Sequence, residues 1–328
     1  MTVAIKIDNL MLSPAPYLPL YELAAEAFKA AGISSFSLCC SYEIFQTVKT
    51  VFSGNCTHSD VLQGDIIIDC PMLITYAGAR ALICDDSEGI SKGCIPVTDT
   101  YSLFKAQKIA RLATIEEHMR NGVRFWDDAG IYIDPRATIG TGSIVLPGTI
   151  IKGSCKIGKG CTLGPNSVID SCTLADNVTV NQSQINHSLI GYGTNIGPFA
   201  YIRPNCTIGD NCKIGDFVEV KNSVVGNETK FSHLTYVGDS DIGNGVNLGC
   251  GTVTVNYDGI NKFRTTVKDG AFVGCNTNII APVTVGKEAY VGAGSTLTQD
   301  VPDGALAIAR ARQVIKENQG RGRTKYNK

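Results

Sequence analysis

Charge and aromatic side chains are scarce in this sequence. Of its 328 residues 18% are charged and 7% aromatic, with a single Trp, against about 25% charged in an ordinary soluble chain. No run approaches the ~18 consecutive apolar residues of a membrane span. The start, Met1-Thr-Val-Ala-Ile-Lys-Ile-Asp8, has no basic segment leading into an apolar one, so no secretory signal is expected. A net charge of −1 gives no general attraction to nucleic acid. The 13 cysteines are odd in number and none are spaced CxxC, which excludes a fully paired disulfide framework and the usual zinc ribbons. No His/Asp/Glu trio has metal spacing, and no metal is expected. Reduced thiols used as small, burial-tolerant side chains are the reading, and with them a cytoplasmic setting.

What is present is glycine, unevenly. Of 35 glycines, 8 precede Ile131 and 27 follow it, so two regimes meet near residue 130. Beyond that point aliphatic residues recur every six positions: Ile133, Ile139, Val145, Ile151, Ile157, Leu163 and Ile169, then after a phase slip Ile190, Ile196, Ile202, Ile208, Ile214 and Val220. A last series runs Val267, Val273, Ile279, Val285, Val291 and Leu297. Neither a helix, with period 3.6, nor a lone amphipathic strand, with period 2, gives period six. A parallel β-helix of hexapeptide repeats does, because one aliphatic residue per hexad enters a stacked core. A glycine often follows the aliphatic residue, and a small residue such as Ser143, Cys155, Cys161, Cys206 or Cys212 sits four places on. Three hexads per coil give roughly nine coils over residues 133–302.

The repeat stops between Thr254 and Val267 for Val255-Asn-Tyr-Asp-Gly-Ile-Asn-Lys262-Phe-Arg-Thr265, and a loop inserted in a rigid solenoid is where function tends to sit. Nearby coils carry large polar groups at Arg203, Glu219, Lys221, Asn222, His233 and Tyr236. Residues one coil apart stack, so Arg203, Lys221 and Asn222 are expected on one strip, and two cations there suit a phosphate. Histidine is the side-chain type suited to proton abstraction near neutral pH, and His233 lies between that strip and the inserted loop. The bland readings are a polar turn at Asp258-Gly259 and a structural histidine.

Four strings carry a family resemblance: Ile196-Gly-Pro-Phe-Ala-Tyr-Ile-Arg203-Pro, Gly215-Asp-Phe-Val-Glu-Val-Lys221-Asn, His233-Leu-Thr-Tyr-Val-Gly-Asp239 and Gly251-Thr-Val-Thr-Val-Asn256-Tyr-Asp-Gly-Ile-Asn-Lys262-Phe. They resemble the acetyltransferase half of the bacterial bifunctional N-acetylglucosamine-1-phosphate uridylyltransferase/glucosamine-1-phosphate acetyltransferases, over roughly residues 95–318. The resemblance implies a left-handed β-helix, a homotrimer with sites between subunits, and acetyl-CoA as cosubstrate. It implies N-acetylation of glucosamine 1-phosphate, a step toward UDP-N-acetylglucosamine and peptidoglycan. It assigns Arg203, Lys221, Tyr236, Asn247 and Lys262 to the sugar phosphate, and His233 to the catalytic base. Asn256, which it counts with His233 as catalytic, and Tyr257 border the reacting groups, and Tyr257, Cys275, Ala293, Arg310 and Lys316 contact acetyl-CoA. Cys275 stands where the family's typical member has serine, trading a hydroxyl donor for a weaker thiol. The tail from Arg310 to Lys328 carries seven Lys/Arg against one Glu, and Arg310, Arg312 and Lys316 suit the phosphates of CoA, with Arg321–Lys328 expected to be disordered. Transfer is expected to be direct, without a covalent acyl-enzyme. The alternatives are another sugar or nucleotide-sugar acetyltransferase, or a non-catalytic scaffold.

The division expected is a small α/β domain over 1–98, a linker helix and cap over 99–130, the β-helix over 131–309 and a basic tail over 310–328. Strands are read at Val3–Ile7, Phe36–Cys40, Ile66–Cys70 and Ala81–Cys84, and helices at Leu18–Ala31, Tyr42–Phe52 and Tyr101–Asn121, the last with Thr98 or Asp99 as cap. Gly64-Asp-Ile-Ile-Ile-Asp-Cys-Pro-Met-Leu-Ile-Thr75 resembles a strand and loop of the family's uridylyltransferase domain, and Glu116–Arg124 its linker helix. That domain opens on a Gly-rich, Arg-containing loop whose backbone N–H groups cradle phosphates. Here residues 1–31 contain neither Gly nor Arg, and Pro14 and Pro16 remove donors. The domain is also about half the family's usual length. A degenerate remnant without uridylyltransferase activity is the expectation.

Overall fold

The computed structural model describes residues 1–319 apart from 9–10, 13–17, 53–55, 60 and 318; Pro14, Pro16 and Arg321–Lys328 lie outside the described residues. The chain divides into two compact units, Met1–Phe199 and Ala200–Lys328.

The first unit opens on a parallel sheet of β1 (Thr2–Lys6), β2 (Ser35–Cys39), β3 (Cys56–Ser59) and β4 (Ile66–Ile68), in the order β3-β2-β1-β4. The continuous apolar run of β1 fits its central place, since a strand covered on both faces does not alternate. Helix α1 (Leu20–Ala30) buries Leu20, Ala24 and Phe28 in the same core, where Phe36 meets Phe52 edge-on at 5.0 Å. Helix α2 (Tyr42–Val48) follows β2.

One strand expectation fails. Residues Ala81–Cys84 belong to a helix, α3 (Tyr76–Cys84). A short apolar run does not discriminate strand from buried helix, and local chemistry decides here: Thr75 Oγ1 accepts the Gly78 N–H at 3.1 Å, and Asp85 ends the helix at φ 56°. Gly78 also lies against Gly93 at the end of α4 (Ser87–Gly93), where a Cβ would meet the Gly93 carbonyl oxygen at 2.3 Å. The antiparallel pair β5 (Met72–Ile74) and β6 (Cys94–Pro96) was not among the strands expected. Helix α5 (Thr100–Arg120) starts as read: Asp99 accepts the Ser102 N–H at 2.7 Å and Ser102 Oγ accepts the Asp99 N–H, a capping box. Its end passes through Gly122 at φ +84°, the left-handed position glycine favours.

Short parallel strands then stack coil on coil. In the first unit Ile133, Ile151, Ile169 and Ile185 are in register, all buried. The step from Ile151 to Ile169 covers 18 positions and the next, to Ile185, only 16, which is the phase slip in the sequence. In the second unit the rows are Ile202–Val220–Val237, Ile208–Val225–Ile242–Val267–Val285 and Phe231–Leu248–Val273–Val291–Ala307. This is a parallel β-helix. The small residues behave as read: Cys155, Cys161, Cys172 and Cys212 are buried, and their thiols donate to carbonyls, as from Cys155 to Lys152 O at 3.1 Å. Burial pushes the Cys172 thiol up to about 12, so such groups are poor nucleophiles.

Phe231 is an aromatic ring within the second unit's stacks and has no exposed surface. Phe231→Ala is expected to cost about 3–5 kcal/mol, read as a lowered Tm and faster amide exchange in the neighbouring coils, because a solenoid's coils support only their neighbours. Among the described residues no helix is long and apolar enough to cross a membrane.

Candidate active site

The register puts the predicted polar residues on adjacent strands of the second unit. Ile202 pairs with Val220, so Arg203 and Lys221 follow their aliphatic anchors at the same corner. Arg203 Nη1 donates to Glu219 Oε1 at 2.9 Å, and that bond holds the guanidinium firmly charged, with Tyr201 and Tyr236 close by. Glu219 and Tyr236 are themselves cross-strand partners.

Lys221 lies against Lys262 from the inserted loop, and the Lys262 amine pushes Lys221 below the ordinary lysine range. Two amines this close repel one another, and an anion bound beside them would relieve the repulsion. A phosphate bound there restores the charged form of Lys221. Binding of a phosphomonoester in alkaline solution is therefore expected to take up protons, with the uptake growing as pH rises toward the lowered value. Calorimetry in two buffers of different ionisation enthalpy reads it as a buffer-dependent heat, and equal heats would contradict it.

Beneath the lysines sits Asp239, 6% exposed. Asn222 Nδ2 donates to its Oδ1 at 2.5 Å and Asn256 Nδ2 donates to its Oδ2. Burial pushes this carboxyl up, but the two amides together with Lys221 and Lys262 outweigh it and hold it below the ordinary carboxylate range. Asn222, Asp239 and Asn256 are each 17 residues apart, one coil step, so the ladder geometry delivers them to a single point.

His233 ends the strand Lys230–His233 opposite Asp216 at the end of Lys213–Asp216, and His233 Nδ1 is hydrogen-bonded to Asp216 Oδ1. The pair is open to solvent on one side, His233 with 57% of its side chain exposed and Asp216 with 35%.

The inserted loop is a built structure. Asp258 Oδ1 accepts the N–H of Ile260 at 2.8 Å and of Asn261 at 2.6 Å, the Tyr257 hydroxyl donates to Gly259 O at 2.6 Å, and Phe263 N–H returns to Asn256 O at 2.9 Å. Tyr257 and Lys262 form an isolated antiparallel bridge. Arg264 fastens the exit, its fork on the Asp241 carboxylate and Nη2 also on Ser240 O at 3.0 Å. Asp258 therefore serves the turn, while Lys262 and Asn256 face the coils.

Arg203, Lys221, Tyr236, Asn256 and Lys262 thus gather in one place, with His233 three residues before Tyr236. Asn247 is set apart from the lysines, paired with Lys230 and Phe272. The residues read as cosubstrate contacts form a second column: Leu248, Val273 and Val291 are in register, which places Cys250, Cys275 and Ala293 at equivalent corners, and Arg310 Cδ lies 3.6 Å from where a Gly294 Cβ would be. Cys275 is exposed. Lys316 is exposed in the tail, its carbonyl accepting the Gln319 N–H at 3.4 Å. Among the described residues no three His, Cys, Asp or Glu side chains gather to hold a metal. The sequence reading omitted Asp216, Glu219, Asp239 and Arg264 as site residues. A signal existed: Asp216 and Asp239 each lie 17 positions, one coil, from the group they hold, while Glu219 pairs with Tyr201 and reaches Arg203 on the diagonal.

The family model "Bacterial transferase hexapeptide (six repeats)" matches residues 136–171 and 187–222. Bifunctional protein GlmU of Geobacillus sp. (strain WCH70) is 54% identical over 224 residues, 68% of this chain and 49% of that protein. Its counterpart in Halalkalibacterium halodurans is 48% identical over 298 residues, 90% of this chain and 64% of that protein, so the likeness extends into the N-terminal part. LpxA of Bacteroides fragilis, a UDP-N-acetylglucosamine acyltransferase, aligns with 21% identity and a TM-score of 0.35 over 54% of this chain and 68% of its own. Fold and sequence together define the class, a hexapeptide-repeat protein built on a left-handed parallel β-helix that follows a small α/β domain in the sequence. Within that class the chain is similar to the acetyltransferase half of GlmU, and it spans about half the length of the first of these curated relatives.

Proposed function

We propose that the second unit transfers the acetyl group of acetyl-CoA to the amine of glucosamine 1-phosphate. The observation that carries this reading is the Lys221–Lys262 pair beside Arg203, an anion pocket one corner from the exposed imidazole of His233. A sugar phosphate held by its phosphate there presents its amine toward His233.

In the reaction the neutral amine attacks the thioester carbon and the C–S bond breaks. His233 takes the amine proton and delivers it to the departing thiolate. Asn256 has one amide N–H committed to the Asp239 carboxylate, which orients its carbonyl oxygen as an acceptor for the attacking amine. Backbone N–H groups are left to meet the developing oxyanion. The column of Cys275, Ala293 and Arg310 offers small side chains for the pantetheine arm and a cation for a CoA phosphate. No nucleophile is required on the protein, and the transfer is direct. The β-helix acts as a trimer in this reading.

The test is initial-rate CoA release with three acceptors: glucosamine 1-phosphate, glucosamine and a UDP-linked amino sugar. The anion pocket favours the first by kcat/KM over the second by about 10²-fold, the worth of one or two charge-assisted contacts. Equal rates with glucosamine, or release only with the UDP-sugar, would overturn the assignment of acceptor.

A further inference from the structure

Asp216 has no part in the chemistry so far, yet the backbone around it is built to bring it to His233. Most strands of this β-helix are only two or three residues long; Lys213–Asp216 and Lys230–His233 each run to four, so that Asp216 and His233 close the ladder as a cross-strand pair. The extension depends on Gly215, where a Cβ would meet the Ser232 carbonyl oxygen at 2.0 Å. The chain then turns through Phe217 at φ 55° and Leu234 at φ 45°, left-handed corners in bulky residues. That conformation costs of order 1–3 kcal/mol per residue and persists where surroundings dictate it. Leu234 N–H donates to Asp216 O at 2.9 Å, which locks the second corner to the first strand.

We infer that Asp216 is the positioning residue for His233, its carboxylate accepting Nδ1–H so that the imidazole presents Nε2 to the substrate amine. A carboxylate can only accept, so the ring nitrogen facing it must carry a hydrogen. The other nitrogen then has the free lone pair. The His233 contact, and more weakly Lys213, hold the Asp216 carboxyl below the ordinary carboxylate range, so it is ionised throughout the working pH range. In the transfer step the amine proton passes to Nε2 and onward to the CoA thiolate. Asp216 exchanges no proton; it orients the ring and balances the transient imidazolium.

This inference rests on the acetyl-transfer reading, and its test separates the two. In Asp216→Asn the amide can turn its N–H toward Nδ1 and favour the wrong tautomer. The expected result is kcat reduced about 10²-fold with KM for both substrates unchanged, and most of the loss recovered in Asp216→Glu. Unchanged kcat in Asp216→Asn, or a loss that appears in KM or in Tm, would overturn it. The second measurement needs no turnover: ¹³C-carboxyl NMR titration of Asp216 in the wild type and in His233→Ala. The midpoint should lie below the ordinary range in the first and rise toward about 3.9 in the second; a midpoint that His233→Ala leaves in place would refute the pair. If the wild type transfers no acetyl to glucosamine 1-phosphate, the functional reading falls and the titration still decides whether Asp216 holds His233.

Discussion

His233→Ala lowers kcat by about 10²–10⁴-fold, the usual worth of a general base, and leaves the KM values for acetyl-CoA and the sugar phosphate nearly as they are. The expectation follows from where the imidazole sits. It is more than half exposed, and its ring is hydrogen-bonded through Nδ1 to Asp216, an acceptor, so removing it opens no cavity and unpairs no buried donor. Folding should be untouched, and a thermal melt of the variant should overlay that of the wild type. Steady-state kinetics on both substrates make the check. A variant that keeps full kcat would remove His233 from the chemistry, and a large rise in KM with kcat intact would make it a binding group instead.

Asp239→Ala is expected to be as damaging by a different route. Its carboxylate is the shared acceptor of the Asn222 and Asn256 amides and a counter-charge to Lys221 and Lys262. Truncation leaves amide donors without a partner, each costing about 1–3 kcal/mol, and leaves the two lysines to repel one another. A destabilisation of about 2–4 kcal/mol is expected, together with a KM for the sugar phosphate raised ten-fold or more, about 1.4 kcal/mol of binding. Inorganic phosphate should restore part of the lost stability, because an anion between the lysines replaces the missing charge. Urea melts with and without phosphate test this; a variant as stable as the wild type, or one that phosphate does not help, would contradict the role given to Asp239.

The fold was legible because hexad periodicity is a one-dimensional code: each aliphatic position faces the stack and each coil repeats the one before. The cation strip was legible for the same reason, since Arg203 and Lys221 lie one coil apart. The groups that hold those residues were harder to see. Asp216 and Asp239 are single acids whose meaning depends on the local coil step, which is 17 there, so a fixed 18-residue period points each at the wrong neighbour, and Glu219 reaches Arg203 on a diagonal that no repeat predicts. Arg264 reaches its carboxylate across 23 positions because of the inserted loop, a distance that no repeat predicts. In the N-terminal part, where no repeat helps, the apolar run Ala81–Cys84 was open to either assignment, and the Thr75 cap together with the Gly78–Gly93 contact made it helical.

Acetyl transfer itself is tested most directly by incubating the chain with acetyl-CoA labelled with ¹³C in the acetyl group and glucosamine 1-phosphate, and locating the label by mass spectrometry and NMR. The label is expected on the sugar nitrogen, as an amide that survives hydroxylamine, with none retained on Cys250, Cys275 or any other protein residue. A label on a sugar hydroxyl, a label held on the protein, or no transfer at all would contradict an N-acetyltransferase acting directly through His233.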